Sequence, residues 1–256
     1  MAGSPNSNLR GFNHAVHTLL KQPASFLPHL TIPTFTHLPE NLGPHLVRTA
    51  GSPPSSATGT STSTASEKPI PPRTPTIRAL VLDKDNTLCP AKTTTFPPQI
   101  LTKLAALRTS PTSPFHLATN PHSILIVSNR AGSHPAFDAE IRALEAQLAH
   151  LQIPVFRLPD GASKKPFCGD EVVRWFRERE VVQSPHEIAV VGDRLGTDVI
   201  MAGMMGSWSV WCKEGVFEAG ETGKPGRNIL EKMEVWVERY LRGKGYTAPA
   251  PRGWES

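Results

Sequence analysis

The chain has 256 residues, 38% of them hydrophobic, with 26 prolines and a formal net charge of +5. The basic balance favours anionic partners (phosphorylated substrates, anionic lipid or nucleic acid) without choosing among them. Cys89, Cys168 and Cys212 stand far apart with no CxxC, which argues against a zinc site or a disulfide framework. No apolar run reaches the ~18 residues of a membrane-spanning helix.

Residues 1–47 are acid-poor, with Glu40 the first acid. "NLRGFNHAVHTLLKQP" puts Leu9, Phe12, Val16, Leu19 and Leu20 at helical spacing, the pattern of a targeting or membrane-contacting segment. "FLPHLTIPTFTHLP" follows, proline-punctuated, and reads as extended chain lying on a surface. Residues 48–75 are low-complexity and too poor in apolar groups to offset ordering entropy, so a flexible linker is expected there. The folded domain is expected at 76–245 and a short tail at 246–256.

From Thr76 the pattern alternates. "IRALVLD", "SILIVSN", "IPVFRL", "EIAVVGD" and "SWSVWC" read as buried strands. "PPQILTKLAALRTS", "PAFDAEIRALEAQLAHLQ", "GDEVVRWFRERE" and "TDVIMAGMMG" read as the helices between them. Strand and helix alternating at this spacing predict an α/β domain, a parallel sheet with helices on both faces. The final helix, 229–242, carries an Ile229, Leu230, Met233, Trp236, Val237, Tyr240, Leu241 stripe that predicts a core contact.

Three strands end in polar residues: Asp83-Lys84-Asp85, Ser128-Asn129 and Gly192-Asp193. Open parallel sheets bind ligands at the carboxyl ends of their strands, so the three should converge. Carboxylates meeting there are tolerable if a hard dication such as Mg2+ sits between them. Asp83 and Asp193 are the natural pair, with the backbone carbonyl of Asp85 facing the metal and Asp198 holding its water shell or orienting Lys165. A carboxylate beside a cation can attack phosphorus and form an aspartyl phosphate. Asp85 could protonate the leaving alkoxide and then activate water as a general base. Thr87, Ser128, Asn129 and Lys165 would bind the phosphoryl oxygens. Lys84 could contact a second anion on the substrate or simply face solvent.

"DKDNT", Ser128, Lys165 and "GDRLGTD", in this order, resemble the four motifs of the haloacid dehalogenase (HAD) superfamily of phosphohydrolases. The resemblance implies a Rossmann-like fold, Mg2+, Asp83 as the nucleophile and Asp85 as the acid and base. More narrowly, "LVLDKDNTLCP", "ILIVSNRAGS", "KKP" and "VVGDRLGTDVIMAGMMGSWSVW" look like the fungal mitochondrial phosphatidylglycerophosphate phosphatases. That likeness implies a phosphatidylglycerophosphate substrate, a step towards cardiolipin, and a peripheral place on the matrix face of the inner membrane. An anionic membrane surface would then be the partner.

Only 40 residues separate Thr87 from Ser128, and 36 separate Ser128 from Lys165. Neither stretch could fold as a separate cap. A capless site suits a large substrate: a lipid headgroup, a nucleic-acid end or a phosphoprotein. No basic and aromatic run interleaves near the motifs, which argues against nucleic acid.

Overall fold

A computed structural model describes residues 7–47, 73–132, 134–158, 163–216 and 229–254. Six parallel strands form one sheet: β1 (Leu30–Ile32), β2 (Ala79–Leu82), β3 (Ile124–Val127), β4 (Val155–Phe156), β5 (Ile188–Gly192) and β6 (Trp208–Cys212). Their spatial order is β1-β6-β5-β2-β3-β4. From β2 the chain winds outward through β3 and β4, then returns to lay β5 and β6 on the other side. The reversal opens a crevice at the carboxyl end of β2.

The helices are α1 (Ser7–Lys21), α2 (Gly43–Leu46), α3 (Pro98–Thr109), α4 (Asp138–Leu148), α5 (Gly169–Arg177), α6 (Ile200–Met205) and α7 (Ile229–Gly243). Side chains alternate along β2, so each face of the sheet builds its own core. Leu80 and Leu82 pack with Ile100 and Leu104 of α3 and Leu144 of α4. Ala79 and Val81 face the opposite layer, with Val172 and Phe176 of α5 and Met201 of α6. Among the described residues, one helix lies between β2 and β3, and α4 and β4 lie between β3 and α5, so neither connection carries a cap.

Three expectations are corrected. The "FLPHLTIPTFTHLP" segment does not lie on a surface. Leu30, Thr31 and Ile32 pair with Val210, Trp211 and Cys212 of β6. Phe35, Leu38, Leu42 and Leu46 are buried in the core that contains Leu80 and Leu82. The prolines interrupt regular structure but leave apolar side chains every three or four residues, enough to cover the sheet, while β1 pairs the edge of β6. The stretch expected to be a tail is docked as well: Trp254 is buried, its ring 5.7 Å from that of Trp208. The α7 stripe is only partly a core contact. Val237 and Leu241 are buried, whereas Ile229, Met233, Trp236 and Tyr240 are exposed. The expected linker falls, from 48 to 72, outside the described residues.

Candidate active site

Asp83 follows β2 directly. Its N–H donates to the Val191 carbonyl at 2.9 Å, so the ladder with β5 carries it into the crevice. Asp193 follows β5, and its carbonyl accepts the indole N–H of Trp211 at 2.8 Å. Asp198 is delivered by a single π-turn, Leu195–Val199, a distortion that recurs at functional sites. It packs against the bare Cα of Gly192, where a Cβ would overlap its carboxyl group. Ligand oxygens of Asp83, Asp193 and Asp198 lie within 4.8 Å of one another.

Lys165 is buried among them. Its ammonium pairs with Asp83 and, at 2.7 Å, with Asp198 Oδ1. Burial opposes its charge, but the carboxylates of Asp198 and Asp83 raise its pKa above the ordinary lysine value. Burial also pushes the Asp83 carboxyl up to about 7, a rise that Lys165 opposes and Asp198 adds to. Burial and then the charges of Asp83 and Asp198 push Asp193 well above the carboxylate range. Three carboxyl groups beside one ammonium resist ionising together in a site of low dielectric, and a bound dication would relieve that. Such an oxygen-only, carboxylate-rich donor set fits Mg2+.

Asp85 sits apart from that cluster. Its Oδ1 pairs with Lys84 Nζ at 3.0 Å and accepts the Lys92 N–H at 2.8 Å. Asp83, Asp85, Asn129, Lys165, Asp193 and Asp198 all line one pocket of about 160 Å³.

The model of the mitochondrial PGP phosphatase family matches residues 9–217. The chain belongs to this family. Among its relatives, the mitochondrial phosphatidylglycerophosphatase GEP4 of Saccharomyces cerevisiae is 35% identical over 179 residues, 70% of this chain and 85% of that protein. A protein of Schizosaccharomyces pombe named as a probable mitochondrial phosphatidylglycerophosphatase is 27% identical over 96% of this chain and 98% of its own. A crystal structure of D,D-heptose 1.7-bisphosphate phosphatase from B. bronchiseptica, complexed with magnesium and phosphate, covers 64% of this chain and 99% of that one. Its identity is 16% and its TM-score 0.35.

Within this family member the site differs from the sequence reading in several places. Asp198, expected to hold the metal's water shell or orient Lys165, does pair with Lys165 at 2.7 Å and also stands in the carboxylate cluster itself. Asn129, expected on the phosphoryl group, lines the pocket and in addition accepts the Lys165 backbone N–H at 2.9 Å, which sets the loop that carries Lys165. Ser128 and Thr87 are buried and do not line the pocket; the Thr87 hydroxyl has no hydrogen-bond partner among the described residues. Lys84 neither contacts the crevice nor faces solvent. It is fully buried, pairing with Glu140 at 3.0 Å as well as Asp85 and donating to the Thr93 carbonyl at 2.9 Å.

Sequence reasoning missed Asn86, Arg194 and Thr197, which complete the pocket wall. Arg194 and Thr197 lie inside the quoted "GDRLGTD", so their place in the motif was the available signal. Glu234 of α7 was also missed. It accepts the Gly196 N–H at 3.1 Å, and burial pushes its carboxyl up to about 7. No local pattern tied α7 to the site.

Proposed function

We propose that the chain hydrolyses phosphatidylglycerophosphate to phosphatidylglycerol, Mg2+-dependently, through an aspartyl phosphate on Asp83. The observation that carries this reading is Lys165 bridging Asp83 and Asp198 in a buried cluster with Asp193. Family membership supports the substrate, and the relatives' names support a mitochondrial setting. No helix among the described residues is long and apolar enough to cross a membrane. The exposed Leu9, Phe12, Val16 and Leu20 of α1 support peripheral contact with an anionic bilayer on the matrix face of the inner membrane.

Asp83, Asp193 and the Asp85 carbonyl would hold Mg2+, with the Asp198 carboxylate at hand, and the bound ion would offset the charge of the phosphoryl oxygens. A carboxylate oxygen of Asp83 attacks phosphorus, and the bond to the glycerol oxygen breaks. Asp85 donates its proton to that leaving oxygen, its Oδ1 fixed by Lys84 and Lys92. Lys165 holds Asp83 in line and pairs with the incoming phosphoryl charge. Asp85, now ionised, takes a proton from water as the water attacks phosphorus. The bond to Asp83 then breaks and inorganic phosphate leaves.

The test is phosphate release from phosphatidylglycerophosphate in anionic vesicles with Mg2+, set against soluble phosphate esters. The lipid should be the better substrate, and Asp83→Asn should abolish release. Equal turnover of lipid and soluble esters would refute the substrate assignment.

A further inference from the structure

A second cavity, of about 410 Å³, adjoins the carboxylate pocket. Asn129, Lys165, Arg194 and Thr197 line both. From that polar end the cavity runs outward between α1 and α7, over Phe12, Val16, Leu19, Met233 and Val237. Its outer rim is exposed: Phe12 keeps 55% of its surface and Met233 47%. The α1 wall rests on the loop that carries Lys165, since Arg10 donates to Ser163 Oγ at 3.3 Å and its guanidinium lies 4.5 Å from the centre of the Phe167 ring.

Arg194 stands where the two cavities meet. Its buried Nε has no hydrogen-bond partner among the described residues, and Glu234 Oε1 is 3.7 Å away. The second oxygen of buried Glu234 is likewise unbonded. A guanidinium held loosely beside a phosphoryl site can take a second anion there, in a fork geometry suited to phosphate. Three features therefore follow one another in space: a phosphomonoester site, a cation with spare donors, and an apolar trough.

We propose that the α1–α7 groove seats the apolar part of a glycerophospholipid, with Arg194 at its inner end pairing with the phosphodiester between that part and the terminal phosphomonoester. This rests on the lipid-phosphatase reading of the site. Continuity with the carboxylate pocket favours a substrate over a protein occupant, because a protein seated in the groove would block the way to Asp83.

The experiment compares kcat/KM on long-chain phosphatidylglycerophosphate with kcat/KM on its deacylated, water-soluble counterpart, using the full chain with Mg2+. Phe12→Glu and Met233→Glu place a charge on the apolar trough at exposed positions. Each should lower the lipid-to-deacylated ratio on the order of tenfold. Arg194→Ala should raise KM for both diester-bearing substrates. As a measurement free of variants, a lipid with a photoactivatable acyl chain should label α1 and α7 in the wild-type chain.

A wild type without preference for the lipid would sink the lipid reading itself. A wild type that prefers the lipid, with both groove variants keeping its ratio or with label confined to other elements, would overturn this inference alone. So would light scattering showing a wild-type dimer that the groove variants dissolve, because the face would then be an interface between copies.

Discussion

The ammonium of Lys84 lies 3.0 Å from the carboxylate of its chain neighbour Asp85 and 3.0 Å from that of Glu140, with none of the lysine exposed. Glu140 in turn pairs with Arg130 at 2.9 Å. Lys84 thus ties the acid/base candidate to α4 instead of meeting the substrate. Lys84→Met should lower kcat by about tenfold or more with little change in KM, the signature of a group acting in the transition state through another. A kcat within a few-fold of wild type would assign Lys84 to packing alone.

Asp198 and Gly192 fit together only because residue 192 has no side chain. Gly192→Ala must move the Asp198 carboxyl, and with it the partner of Lys165. Misplacement of this kind costs about a hundredfold in rate. Steady-state kinetics on the folded variant checks it; activity within a few-fold of wild type would show that Asp198 can shift without consequence.

His29 joins three distant segments. Its Nδ1 lies 2.9 Å from Ser209 Oγ on β6, and its Nε2 lies 3.0 Å from the Pro249 carbonyl. Burial, with Arg242 adding to it, lowers its pKa from 6.5 to about 4. Between these values the unfolded chain binds a proton that the folded chain refuses, so stability falls as pH drops from 6.5 towards 4. Melting temperatures across that window should fall more steeply for wild type than for His29→Gln. Parallel curves would mean that His29 is protonated in the fold.

Arg108 is fully buried and donates to the carbonyls of Leu151, Phe115, Asn120 and Pro121 and to the Ser123 hydroxyl. It closes the long connection from α3 to β3. Arg108→Ala orphans those acceptors and should cost about 3 kcal/mol or more in chemical denaturation. A loss below about 1 kcal/mol would show that water replaces the guanidinium.

The central strands were legible because ALVL, ILIV and IAVVG are short apolar runs buried on both faces, bounded by polar residues. The same boundaries revealed Asp83, Asn129 and Asp193, since strand ends in a parallel sheet share one edge. β1 was not legible: three residues between prolines become a strand only through β6, some 180 positions away. Nor was the fate of the α7 stripe, because helical periodicity marks an apolar face without saying what covers it. Arg108 and Lys84 escaped for one reason. Their burial depends on carbonyls and carboxylates gathered from other segments, and the general bias of such residues is towards solvent.

The central claim is that Asp83 receives the phosphoryl group. Rapid quenching with 32P-labelled phosphatidylglycerophosphate and Mg2+, followed by peptide mapping, tests it directly. Label should appear transiently on Asp83, bound as an acid-stable, base-labile acyl phosphate, and be absent from Asp83→Asn. Label on any other residue, or full turnover by Asp83→Asn, would contradict it.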